Sequence, residues 1–363
     1  MDDQAFRKFG RNLRARIAGA YAAYASGRAA RAAVSGETTP VYRAGAAGDG
    51  DAAQPLHLRR SIAAMFWAMA VVLVVYPVWA FIVSVVDDDF AFAPNTDANL
   101  RNQSSTIAAI AGLLDREVNQ HHWTPNAPFF SPVALLSDMP NFQRGIVAEL
   151  GRLTLALSQS GSAAELVSRV PDPDLSRAAE LLQYPPDIWI WNPTVAFFSG
   201  SSEQQYRKAI DAIGDYTQHL STRQVIFERT AETLAPILDS IAGNLGTASA
   251  TIEAHLREHR DLSVDRTSGA VFYVVKGGLY ADYIVLKGLA ADFSAVLEVR
   301  GANKTWDAMM DSLQDAARIH PLVVLNGTSD SSFVPCHLCN EGFYLSRARE
   351  ALRGLVESLR KTP

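Results

Sequence analysis

The sequence predicts an all-α protein in which a single transmembrane helix carries a bundle of long helices with a coiled-coil-like hairpin at its core. Three observations predict it. Residues 61–86 form one uncharged apolar run. From Tyr206 onward, apolar residues recur in alternating steps of four and three. No stretch alternates apolar and polar residues long enough to build a sheet, and Val323, Val324 and Leu325 make at most one short strand.

Residues 1–32 read as a basic amphipathic helix on the cytoplasmic side. Phe6, Phe9, Leu13, Ile17, Tyr21 and Tyr24 fall on one helical face, while Arg7, Lys8, Arg11, Arg14 and Arg16 take the others. Such a helix lies in the plane of an anionic leaflet or binds a partner, and the spacing suits both. Residues 33–60 are rich in Gly, Ala, Ser and Pro and read as a flexible linker. No catalytic or signalling domain fits within this arm, which weakens a receptor reading.

The run at 61–86 is interrupted only by Ser61, Tyr76, Pro77 and Ser84. As a helix it reaches about 39 Å, enough to cross a hydrocarbon core of about 30 Å with some tilt. Membrane helices tolerate an interior proline such as Pro77. Arg59 and Arg60 precede the run, and Asp87, Asp88 and Asp89 follow it. The positive-inside rule therefore keeps the N-terminus in the cytoplasm and sends residues 87–363 to the periplasmic side of a bacterial inner membrane. A signal peptide would have a shorter apolar core, and the A-x-A pattern at Ala91–Ala93 is followed by Pro94, so an uncleaved anchor is expected.

The net charge of −5 divides unevenly: residues 1–60 carry +5 and the apolar run none, which leaves −10 on residues 87–363. An acidic domain of this kind argues against nucleic acid as a partner. Its main helical signal is a seam through Tyr206, Ile210, Ile213, Thr217, Leu220, Gln224, Phe227, Ala231, Leu234, Leu238, Ile241, Leu245, Ala248 and Ile252. Pro236 falls off that seam and is expected to kink or split the helix. A second long helix is predicted over 269–299, with an apolar face through Phe272, Val275, Leu279, Tyr283, Leu286, Ala290, Phe293 and Leu297. Gly277, Gly278 and Gly288 on it would let another backbone approach closely. The preferred core is an antiparallel hairpin of these two helices, with shorter helices near 98–120, 140–170, 174–183, 302–319 and 341–360.

Two stretches, 121–143 and 184–201, are rich in proline and aromatic residues, so both are expected to be ordered. Trp189, Trp191, Phe197 and Phe198 are then the candidate partner surface, against the plainer expectation that they seal one end of the bundle. The strings WTPNAPFFSPVALLSDMPNFQRG (123–145), AVFYVVKGGLYADYIVLKGL (270–289) and PLVVLNGTSDSSFVPCHL (321–338) resemble a bacterial family known only as domain of unknown function 2333. The resemblance covers about residues 100–360. It implies a membrane-anchored protein with a helical outer part and no established activity. It also implies that Pro335 and His337 belong to the family pattern, with asparagine where this chain has Cys336.

Two constellations carry candidate chemistry. His255, Glu258 and His259 match H-x-x-E-H, in which two imidazoles one helical turn apart hold zinc and the glutamate activates its water. Arg257 and Arg260 beside them repel a cation, and no third ligand can be picked out. Cys336 and Cys339 are the only cysteines, and in an oxidising compartment a local disulfide is their expected state. Redox catalysis would need a βαβ context that the neighbouring sequence lacks. Phosphate-loop, nucleophile-elbow and dinucleotide fingerprints are absent from the sequence. The expectation is a non-enzymatic envelope protein that scaffolds or docks a protein partner, with no cofactor, no metal and room for an oligomer. A zinc hydrolase, a thiol–disulfide enzyme and an extracytoplasmic ligand sensor are the alternatives.

Overall fold

A computed structural model describes residues 64–67, 69–71, 73–75, 78, 85–94, 103–128, 138–160, 171–189, 200–259, 266–321, 323–327 and 335–361. Apart from Ala64, all of them fall in one compact unit, Met65–Pro363. The helix expected over 1–32, the linker at 33–60 and part of the 61–86 run lie outside the described residues. The described residues are mostly helical, and among them the only β-pairing is an isolated bridge between Asn326 and Cys336.

Helix α1 (Ser105–Asp115) starts at Ser104, whose hydroxyl accepts from Ile107 N. A second cap comes from far along the chain: the Asp292 carboxylate accepts from the backbone N–H of Ser105 and Thr106 at 3.0 and 2.9 Å. A carboxylate there satisfies orphan donors and suits the positive end of the helix dipole. A π-helical turn, Arg116–Gln120, follows α1. It turns two consecutive charged residues, Arg116 and Glu117, into the interior.

Helix α2 (Asp138–Ser160) leads to α3 (Pro173–Leu182), which begins with Asp172 as its N-cap and proline in its first turn. Helices α4 (Ser202–Ser221) and α5 (Ala231–Glu258) together hold the predicted seam. The chain breaks between them, with Arg223 in the left-handed region at φ 60° and Gln224 exposed. The seam keeps its phase because Phe227 stays buried inside the break, edge-on to Phe293. Pro236 does not cause the split. It sits in the second turn of α5 on the exposed face, where water can satisfy the carbonyl it leaves unbonded. The true start is the Thr230 cap, whose hydroxyl accepts from Thr233 N.

Helix α6 (Arg266–Asp292) continues after Phe293 into the short α7 (Ser294–Val299), close to the predicted 269–299. Helices α8 (Asn303–Ala317) and α9 (His337–Arg360) complete the bundle. The tightest pairings are α2 with α6 and α5 with α9, while the expected α5–α6 hairpin makes a lesser contact. Small residues explain this choice. A Cβ built on Gly145 would stand 2.0 Å from Val274 O, and one on Gly277 would stand 2.1 Å from Phe142 O, so α2 and α6 touch backbone to backbone. Gly288 does the same for α1, with Ser105 O and Thr106 Cα at 2.8 Å. Leu234, Leu238 and Ile241 of the seam are fully buried within this one chain.

One helix among the described residues, Thr267–Asp292, is long and apolar enough to cross a membrane, and 67% of its most apolar window is buried in the bundle. The shorter apolar helix Ala64–Val75 is unlike it. There Trp67 is 74% exposed and Leu73 70%, and Met65 and Phe66 are exposed as well.

Candidate functional site

The chain leaves the apolar run as a strap, residues 85–94, that lies on the bundle through its three aspartates and the aromatics that follow them. Each aspartate is engaged differently. The Asp87 carboxylate faces His121 Nε2 at 3.4 Å, and its carbonyl accepts from Arg116 at 3.1 Å. Asp88 pairs with Lys276 Nζ at 3.0 Å and His320 Nε2 at 2.8 Å. The Asp89 carbonyl accepts from the Tyr280 hydroxyl at 2.9 Å, while its carboxylate turns the strap by accepting from Ala91 N. Phe90 then packs edge-on against Tyr280 and Tyr283, and its carbonyl accepts from Lys287 Nζ at 2.9 Å. Phe92 lies beneath the Arg116 guanidinium.

Behind the strap stands a buried polar layer. Arg116 donates to Glu117 and to the Tyr280 hydroxyl, both at 2.8 Å. Glu117 also accepts from Gln143, which accepts in turn from Thr124. The Lys276 side chain is fully buried, and its ammonium donates to Ile319 O at 2.8 Å. A lysine in that position is held by its partners or not at all.

The charges respond accordingly. The hydrogen bond with His121 lowers the Asp87 carboxyl to about 2, against the upward push of burial. The same bond, with help from Glu117, raises His121 to about 9. Burial works to raise Asp88, yet His320 and Lys276 together hold it below its ordinary value. Burial drives Lys276 down, with Asp88 opposing. Glu341 of α9 is wholly buried and has no hydrogen-bond partner for either oxygen, and burial raises it well above the usual carboxyl range. The Lys276 charge works against that rise. The arrangement fixes the exit of the apolar run to three places on the bundle: the turn after α1, helix α6 and His320.

The predicted site residues fall elsewhere. The rings of His255 and His259 stack at 4.2 Å, 20° from parallel. His255 Nε2 meets Ser268 Oγ at 2.8 Å, His259 Nδ1 meets the His255 carbonyl at 3.1 Å, and Glu258 is exposed. Helix α5 ends at Glu258 with His259 as its C-cap, and the two imidazoles stay on one side of the helix end. Stacked rings do not converge on one ion, and no cluster of three metal-ligating side chains occurs among the described residues. Cys336 and Cys339 are bonded to one another with Cα atoms 5.2 Å apart, and Cys336 Sγ accepts from Cys339 N at the start of α9. Trp189 is half exposed, whereas Trp191, Phe197 and Phe198 lie outside the described residues.

The flanking loops are ordered by one another. Trp123 Nε1 donates to Pro186 O at 2.8 Å and its ring meets Tyr206 edge-on, while Asn126 donates to Ile188 O. Sequence reasoning missed the strap's partners. A signal existed: Lys276, Asp282 and Lys287 interrupt a mostly apolar helix, and charges inside such a run are usually paired.

The family model described as "Uncharacterized protein conserved in bacteria (DUF2333)" matches residues 61–269 and 262–362. Comparison with curated proteins and with solved structures finds no match for the chain.

Proposed function

The chain belongs to this uncharacterized bacterial family, and we propose that it is a single-pass, membrane-anchored protein of the cell envelope whose helical domain is a docking platform for a protein partner. The carrying observation is the contrast between the two apolar helices. Ten large apolar side chains between Met65 and Val85 are more than half exposed. At about 1 kcal/mol for each half-exposed side chain, lipid around them is favoured by on the order of 10 kcal/mol. Helix α6 has no such debt, since its glycines and aromatics are already packed. Placing Lys276 and Asp282 in lipid would cost about 2.5–3.5 kcal/mol each. The family match begins at residue 61 and so takes in the apolar run.

The strap supports the docking part of the reading. An anchor followed by a free tether would let the domain sample many orientations, whereas residues 87–92 are fixed to α6, to the turn after α1 and to His320. A platform held this way presents one face to the membrane and others to partners. The half-exposed Trp189 is the described member of the candidate partner surface. A photo-crosslinking residue at position 189 of the full-length protein in living bacteria should give one discrete adduct, identified by mass spectrometry, that a probe at exposed Val299 does not give. Identical or absent adducts at both positions would contradict docking through this face.

A further inference from the structure

We propose that the cleft between α2, α5 and α6 binds a small monovalent alkylammonium ion, its ammonium group seated between the Glu149 and Asp282 carboxyl groups. The cleft has a volume of about 110 Å³. That is the space of a few water molecules at about 30 Å³ each, enough for an ammonium on a short aliphatic stem. Its walls include Ala148, Leu245, Ala248, Val275 and Leu279, which suit methylene groups.

The polar floor is unevenly satisfied. Glu149 Oε1 accepts from Asn244 Nδ2 and Oε2 from Arg152 Nη1, each at 2.6 Å. Asp282 is only 2% exposed, lines the same cleft, and its Oδ1 has no hydrogen-bond partner. A buried acceptor left without a donor is costly, and a ligand N–H removes that cost. The charged groups facing Asp282 are Glu149 and Arg152, both from α2. Helix α5 contributes Asn244, Thr247 and Thr251, none of which ionises. Arg152 cancels Glu149, so an ionised Asp282 would leave one uncompensated negative charge.

Burial, reinforced by the charge of Glu149 and a hydrogen bond with it, raises Asp282 well above its ordinary value and so favours a proton on that carboxyl. An ammonium ion takes over that proton's role. It donates to Asp282 Oδ1 and to Glu149, the Asp282 proton passes to solvent, and the buried set stays neutral. Two carboxylates and one carboxamide fall short of the six to eight oxygens that calcium takes. The apolar walls likewise favour an organic cation over a hydrated one.

The test is isothermal titration of the full-length protein in detergent with n-butylammonium chloride, in two buffers of different ionisation enthalpy, with sodium chloride as the control. Butylammonium should bind with release of about one proton, and affinity should fall about tenfold for each pH unit below the Asp282 titration. Sodium should give no such heat. Asp282→Asn mimics the neutral acid and should fold, lose the proton release and bind at least tenfold more weakly. Ala248→Phe fills the cleft without touching a charge and should also abolish binding. Equal heats from sodium and butylammonium, binding without proton release, or full binding by the Ala248→Phe protein would each overturn the proposal.

Discussion

Gly277→Ala adds one methyl group where α2 and α6 touch. Its Cβ would lie 2.1 Å from Phe142 O, 2.9 Å from Phe142 C and 3.2 Å from Ile146 N. All three are backbone atoms of a packed helix, so no side chain can swing aside. Restoring an ordinary contact of 3.4 Å to the carbonyl oxygen requires the helices to part by about 1.3 Å, loosening the aromatic layer of Phe142 and Tyr280. Overpacking of this kind costs about 1–3 kcal/mol or more. The better helix propensity of alanine offsets about 1 kcal/mol of it. Gly243 of α5 is the internal control, because a Cβ there meets nothing within 4 Å. Gly243→Ala should therefore stabilise by about 0.5–1 kcal/mol, and the two variants should differ by the overpacking cost, about 1–3 kcal/mol. Guanidinium unfolding of the full-length protein in detergent, followed by helical circular dichroism, reads the difference. If Gly277→Ala is as stable as Gly243→Ala, the backbone contact that organises the bundle is not there.

Three further outcomes follow from the strap and its surroundings. Asp88→Asn should destabilise by about 3 kcal/mol, because it strands the buried Lys276 ammonium, and the double variant with Lys276→Met should recover most of the loss; a double variant no better than the single one would contradict the pairing. His121 is raised to about 9 from an ordinary 6.5, so its stabilisation is complete below pH 6.5 and is lost as pH climbs through 9. Asp87, lowered to about 2 from 3.8, contributes above pH 3.8 and loses that contribution as pH falls through 2. The pair is partly exposed, and solvent screening leaves about 1 kcal/mol. His121→Gln should flatten the alkaline limb of a stability–pH curve, and an unchanged slope would count against it. Reduction of the Cys336–Cys339 bond should cost no more than about 2 kcal/mol, since it closes a very short loop, and unfolding by dithiothreitol alone would refute that.

Helix existence was legible in the sequence because apolar periodicity is a local property. The spans near 98–120, 140–170, 174–183, 302–319 and 341–360 each find a counterpart in the bundle. Partner choice was not legible, because it is set by which backbones can touch. Gly277 and Gly288 announced a close approach, yet nothing local revealed that Phe142 and Ser105, far away along the chain, would supply it. The seam misled because Phe227 preserves its phase across a real break, whereas Pro236, the obvious breaker, sits harmlessly in an exposed second turn. For the candidate site, Asp87–Asp89 were visible as charges flanking the apolar run, but the partners of Asp87 and Asp88 lie on three separate elements. The two histidines do share one side of the end of α5, but their rings stack on one another and no cluster of three metal-ligating side chains forms among the described residues.

The claim most worth testing is that residues 61–86 cross the bilayer and α6 does not. A phosphatase active only outside the cytosol, fused after Pro363 of the full chain in bacteria, decides it. One crossing with Arg59 and Arg60 kept inside leaves that fusion active, and a matched fluorescent fusion that matures only in the cytosol stays dark. A second crossing by α6 would return the C-terminus to the cytosol. A silent phosphatase with a bright cytosolic partner would therefore contradict the anchor, the strap's position and the docking role together.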